Sequence, residues 1–142
     1  MSGLTELELM LAEEACRRQI IRFASLNDIG DYEALAGLFT QNAIFARPSA
    51  PDVPIVGREA ILSSFQSRQP RLTRHVMSNI EVNIQTPERA TVRSMISLYQ
   101  GDSGASPAAI QAVLIGAYDD VMHKVEGHWL FSERRGSLAL KG

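Results

Sequence analysis

Every helix signal in this chain comes before Leu72 and every long strand signal after it, and this segregation limits the possible folds more than any other feature. Three strand-like runs follow one another: Leu72 to Ile84, Ala90 to Gln100, and about Ala109 to Arg134, the last folded back on itself at Glu126-Gly127-His128. In the first run Val76, Ile80, Val82 and Ile84 alternate with other residues, the period of a half-buried strand. The opposite parity holds His75, Met77, Asn79, Glu81 and Asn83, so that side either faces water or lines a polar pocket. Upstream, Thr5 and Glu8 form a capping box for a periodic segment that runs to about Ile29, where Gly30 offers a stop. Asp31 caps a short helix, DYEALAGLF, with Leu35, Leu38 and Phe39 inward. NAIFARP reads as a short strand ended by Pro48, Pro51 and Pro54, and REAILSSFQSR as a third helix with Ile61 and Phe65 four apart. GDSGASP reads as a mobile connection. Helices followed by strands predict an α+β fold, with about three N-terminal helices on one face of a mainly antiparallel sheet. A sheet that curves around helices leaves a natural pocket between the layers.

The length of 142 residues fits one domain, which would bury roughly two thirds of the surface its unfolded chain exposes. A composition that is 45% apolar and 21% charged, with net charge −2, argues against disorder and against nucleic acid as a partner. Small molecules or proteins are the expected partners. The single cysteine, Cys16, excludes an internal disulfide and a multi-cysteine zinc site; it reads as a buried helical thiol in a reducing compartment. The N-terminal segment lacks the basic start and apolar run of a signal peptide, and no apolar stretch approaches the ~20 residues of a membrane span. A cytoplasmic location with no membrane contact is the expectation. No H-x-H, H-E-x-x-H or carboxylate cluster predicts a metal, and no glycine-rich loop follows a strand to hold a nucleotide, so no cofactor is expected.

Two residues stand out chemically. Ile21, Ala24 and Asp28 follow at spacings of three and four, so Asp28 continues an apolar stripe. It also sits in the last helical turn, where the macrodipole disfavours a negative charge. Asp28 therefore either faces the pocket or lies in a solvated, frayed turn. His75 is either its partner or a structural histidine hydrogen-bonded to a neighbouring strand or helix end. Asn79, four residues beyond, either hydrogen-bonds a ligand or satisfies a neighbouring strand or a bulge. Tyr99 is a core tyrosine or a general acid near the pocket mouth. Tyr118, Asp120 and Arg134 read as a structural polar network, Trp129 and Phe131 as core or interface aromatics, and His123 and His128 as exposed.

Four patterns in order, FASLNDIGDYEALAGLFTQNAIF, VGREAILSSF, TRHVMSNI and GAYDDVMHKVEGHWLFSERR, resemble the SnoaL-like branch of the nuclear transport factor 2-like superfamily from about Leu7 to Arg134. The resemblance implies a cone-shaped barrel with an apolar pocket, usually in a homodimer or larger assembly. It implies that Asp28 and His75 are the proton-transfer pair found in scytalone dehydratase and hexachlorocyclohexane dehydrochlorinase. It brings Phe23, Asn27 and Phe45 to the pocket as candidate substrate-binding residues, with Asn79, Tyr99 and Tyr118 beside them. A ketosteroid-isomerase mechanism is disfavoured, because the places of its aspartate and tyrosine read FARP and Phe23. Phe23 also stands where a dehydrochlorinase carries its lysine. The expected function is a cofactor-free lyase or isomerase acting on a hydrophobic carbonyl-bearing or aromatic molecule. The alternative is a non-catalytic ligand-binding or oligomerisation domain, like the small subunits of ring-hydroxylating dioxygenases.

Overall fold

The Thr5 hydroxyl accepts from the Glu8 N–H while the Glu8 carboxylate accepts from the Thr5 N–H, and this box opens helix α1, Glu6–Ile29. Gly30 closes it in the left-handed conformation, φ 80°. This is a computed structural model, and it describes residues 3–102 and 104–142. Met1 and Ser2, and Ser103 in the predicted mobile connection, lie outside the described residues. After α1 come α2 (Tyr32–Ala36), β1 (Phe39–Ala46), β2 (Ile55–Val56), α3 (Arg58–Gln66), β3 (Leu72–Thr86), β4 (Arg89–Gly101), β5 (Ile110–Val125) and β6 (His128–Lys141). Asp31 caps α2 by accepting from the Ala34 N–H.

The strands form one six-stranded sheet in the order β2-β1-β6-β5-β4-β3. Among the described residues, only the β1–β6 pairing is parallel. The fold is the expected α+β arrangement, with the helices against a curved sheet that stays open at β2 and β3 rather than closing into a barrel. No described helix is long and apolar enough to cross a membrane.

The buried stripe of α1 is Cys16, Ile20, Phe23, Ala24 and Asn27, with Leu26 beside it. Ile21 is half exposed, which corrects the expected stripe by one residue. The Cys16 thiol is fully buried, and burial, with Glu13 adding to it, pushes its pKa up to about 12, so it is no nucleophile at neutral pH. Phe23 lies at the centre of an aromatic cluster, 5.9–6.1 Å from the rings of Phe39, Phe45, Phe65, Tyr118 and Phe131. Edge-to-face packing of this kind fills the space between α1 and the sheet.

The second correction concerns β3. Ser78 pairs with Met95 and Glu81 with Arg93, so Asn79 and Ile80 together oppose Ser94. This is a β-bulge, and Asn79 takes the left-handed φ of 48° that asparagine tolerates. The extra residue inverts the facing of the strand. Thr73, His75 and Met77 point inward before it and Ile80, Val82 and Ile84 after it, while Val76 is exposed. The alternation expected from Val76 through Ile84 is therefore broken in the middle.

Two glycines let β6 come close. A Cβ on Gly116 would collide with the Ser137 carbonyl oxygen, where the β5–β6 register shifts, and one on Gly136 would lie 2.5–2.6 Å from Pro48. The second approach presses the end of β1, and so Arg47 and Pro48, against β6.

Candidate active site

The last turn of α1 meets the start of β3 through Asp28. One carboxylate oxygen, Oδ1, is 2.5 Å from His75 Nδ1 and accepts from the Thr73 hydroxyl at 3.0 Å. The other, Oδ2, accepts from the backbone N–H of His75 at 2.9 Å. Burial would raise the Asp28 pKa, but the His75 ring, the His75 N–H, its charge and the Thr73 hydroxyl together outweigh it and hold the group below its usual value. These bonds answer the question of why a helix places an acid at its negative end. The local penalty is offset by donors from a strand 45 and 47 residues away.

Asn27 fixes the other side of the imidazole. Its Nδ2 lies 3.4 Å from His75 Nε2, and its Oδ1 accepts from Arg68 Nη2 at 2.8 Å. Because Arg68 can only donate, the amide must turn its NH2 toward His75. Nδ1 therefore carries the proton shared with Asp28, and Nε2 presents its lone pair.

His75 and Asn27 stand in the wall of a cavity of about 150 Å3. Phe45, Phe65, Ile96, Leu98 and Leu114 form its apolar side, with Tyr118 at the buried end. The cross-strand row His75, Leu98, Leu114 shows how the sheet's inner face becomes the cavity wall. The remaining side is polar and includes Arg47, Arg68, Arg71 and Gln100, so the pocket is not apolar throughout as expected. None of these arginines figured in the sequence reading. The signal available was the ARP that ends NAIFARP and the SRQPR that follows α3.

Of the other predicted site residues, Asn27, Phe45 and Tyr118 line this cavity. Phe23 does not; it supports Phe45 and Tyr118 from beneath. Asn79 is turned away by its own bulge and is exposed, its amide reaching Met95 Sδ at 3.4 Å. Tyr99 pairs with Val113 on the outer face of the sheet. Below the pocket, Arg134 Nη1 donates to Asp120 Oδ2 at 2.6 Å, both side chains fully buried. The Arg134 guanidinium lies 3.7 Å from the Tyr118 ring centre and 4.5 Å from that of Phe23. Its Nε and Nη2 have no hydrogen-bond partner, so ring faces take the place of acceptors. Burial pushes the Asp120 carboxyl up to about 7 against the pull of Arg134. Tyr118, Asp120 and Arg134, grouped from the sequence, thus lie in contact. Trp129 and Phe131 are buried, and His128 is exposed, while His123 is half-buried rather than exposed as expected.

The model of the SnoaL-like domain matches residues 8–135. The chain belongs to the SnoaL-like family. Among solved structures, this SnoaL-like chain is similar to a proposed scytalone dehydratase from Novosphingobium aromaticivorans DSM 12444, with a TM-score of 0.84 and 24% identity over 97% of this chain and 91% of that one. It is similar to a hexachlorocyclohexane dehydrochlorinase, with a TM-score of 0.83 and 13% identity over 97% and 92% of the two chains. It is also similar to a protein of unknown function from Mycobacterium tuberculosis, with a TM-score of 0.78 and 21% identity over 92% and 77%. At such identities the likeness is one of fold. No curated protein matches the chain.

Proposed function

We propose that this SnoaL-like protein is a cofactor-free lyase or isomerase in which His75 Nε2 is the general base. The observation that carries the reading is the Asp28–His75 contact at the wall of the cavity. Asp28 holds the Nδ1 proton, so Nε2, which meets the Asn27 amide at the cavity wall, is an acceptor. Such a base takes a proton from carbon beside a carbonyl or a leaving group, and Asp28 stabilises the imidazolium that results. The electron pair passes to the carbonyl oxygen or expels the leaving group, and the proton returns from Nε2 to carbon or to the departing group. Asn27 Nδ2 is placed to hold an oxygen of the substrate beside the reacting carbon. Phe45, Phe65 and Leu98 suit a small aromatic or unsaturated body, since a cavity of about 150 Å3 is enough for one benzene-sized ring. The buried, unpaired Cys16 suits the cytoplasmic setting expected from the sequence.

The test needs no knowledge of the natural substrate. Proton–deuterium exchange at acidic C–H bonds of a panel of aryl ketones and β-hydroxy carbonyl compounds is followed by NMR. The native protein should accelerate exchange for at least one compound, and His75→Gln should lose about 10²-fold or more of that rate while melting at nearly the same temperature. Exchange that is equally fast with His75→Gln would leave a ligand-binding module in place of an enzyme.

A further inference from the structure

The cavity wall carries three guanidinium groups and no carboxylate to match them. Arg47 Nη2 donates to the Ser64 carbonyl at 2.7 Å and its hydroxyl at 3.2 Å. Arg68 Nη2 donates to Asn27 Oδ1 and, at 3.4 Å, to the Tyr32 hydroxyl. All of these acceptors are neutral. The Nε atoms of both arginines are buried without a partner. Both guanidiniums lie against the one Phe65 ring, 5.2 and 4.6 Å from its centre. Arg71 has neither a hydrogen bond nor an ion pair among the described residues. Asp28, whose charge reaches Arg71, has its oxygens occupied by Thr73 and His75.

Like charges in one wall repel, and burial adds to the cost for Arg47 and Arg68, which are half-buried, while Arg71 reaches the surface. Arg47 and Arg71 are both held below the ordinary guanidinium range, first by burial and then by neighbouring arginines. Arg134, Arg93 and Arg135 each meet a carboxylate, Asp120, Asp119 and Glu133, whereas none of the three guanidiniums of this wall does. A chain of net charge −2 thus gathers three guanidiniums without a carboxylate partner at the cavity that His75 lines. Such a field draws in and holds an anion.

We propose that this wall is a carboxylate site, and that the molecule presented to His75 is a small aromatic or unsaturated carboxylic acid whose carboxylate is held by Arg47, Arg68 and Arg71. The planar guanidinium fork matches a carboxylate, and the apolar side chains that line the same cavity take the body of the acid. The reaction of such an acid rests on the reading of His75 as a base; its binding does not.

Binding is therefore measured by calorimetry at constant ionic strength with both the native protein and His75→Gln. The probes are benzoate, phenylacetate and cinnamate, their neutral amides, and inorganic phosphate. At least one acid should bind about tenfold or more tighter than its amide to both proteins. Arg71→Gln, which removes a side chain with no protein partner, should abolish that preference with little change in melting temperature. An amide that binds as tightly as its acid, no binding by any of the acids, or a preference unchanged in Arg71→Gln would overturn the site. Tighter binding of phosphate than of every acid would overturn it in favour of a phosphoryl ligand. Acid binding without any proton exchange would leave the anion site standing and remove His75 as the base.

Discussion

Asp28 accepts both the ring and the backbone N–H of His75, so one carboxylate positions a side chain and the strand that carries it. The hydrogen bonds also make Asp28 a pH-dependent brace. Its folded pKa lies below its unfolded value of ~3.9, so its stabilisation is fully present above about pH 4 and is lost as pH falls through the folded value. Denaturant titrations between pH 6 and pH 3 should show this loss in the native protein and not in Asp28→Asn. The same variant should lower His75-dependent exchange by about tenfold or more, because the neutral amide no longer stabilises the imidazolium. Identical pH slopes in the two proteins would show that the contact contributes nothing to folding.

Phe65 is buried, stacks on Phe45 at 5.5 Å and lies beneath the guanidiniums of Arg47 and Arg68. Phe65→Ala should cost about 3–5 kcal/mol by denaturant titration. A loss below about 1 kcal/mol would mean that α3 is peripheral to the pocket wall.

Arg134 is the ion-pair partner of the buried Asp120 carboxyl and also caps three aromatic faces. Arg134→Met keeps the bulk but strands Asp120 without a counter-charge, and should cost about 3–5 kcal/mol by denaturant titration. Combining Arg134→Met with Asp120→Asn should recover part of that loss, since no unpaired charge then remains in the interior. Absence of any recovery would show that the ring contacts, not the ion pair, are what the fold needs.

On the outer face the paired rows Val76, Ser97, Ile115, Leu140 and Tyr99, Val113 present an apolar surface, with Val76 and Leu140 51% and 64% exposed. A contiguous apolar sheet face of this kind is a common site of association between copies of a chain. A homodimer through this face is the expected assembly, and Ile115→Glu should dissociate it. Light scattering that gives a monomer for the native protein at micromolar concentration rules it out.

Caps, periodicities and turn residues act over a few positions, and these were legible in the chain itself. The Thr5–Glu8 box, the Gly30 stop, the Asp31 cap and the order of helices before strands all stand where local rules place them. Asp28 was legible for the same reason: an acid at a helix C-terminus is unfavourable locally and needs an explanation from elsewhere. What local rules could not supply was which face each strand residue takes. The inversion at Asn79 depends on β4 pairing with β3 across a bulge, so the parity of Val76 is correct by period and wrong in space. The arginines show the same limit. Arg47 follows a strand and Arg68 and Arg71 follow a helix, each an ordinary surface residue by type. Only the tertiary packing of α3 against β1 and α2 brings their charges onto one wall, because electrostatic interaction depends on distance through space and not along the chain.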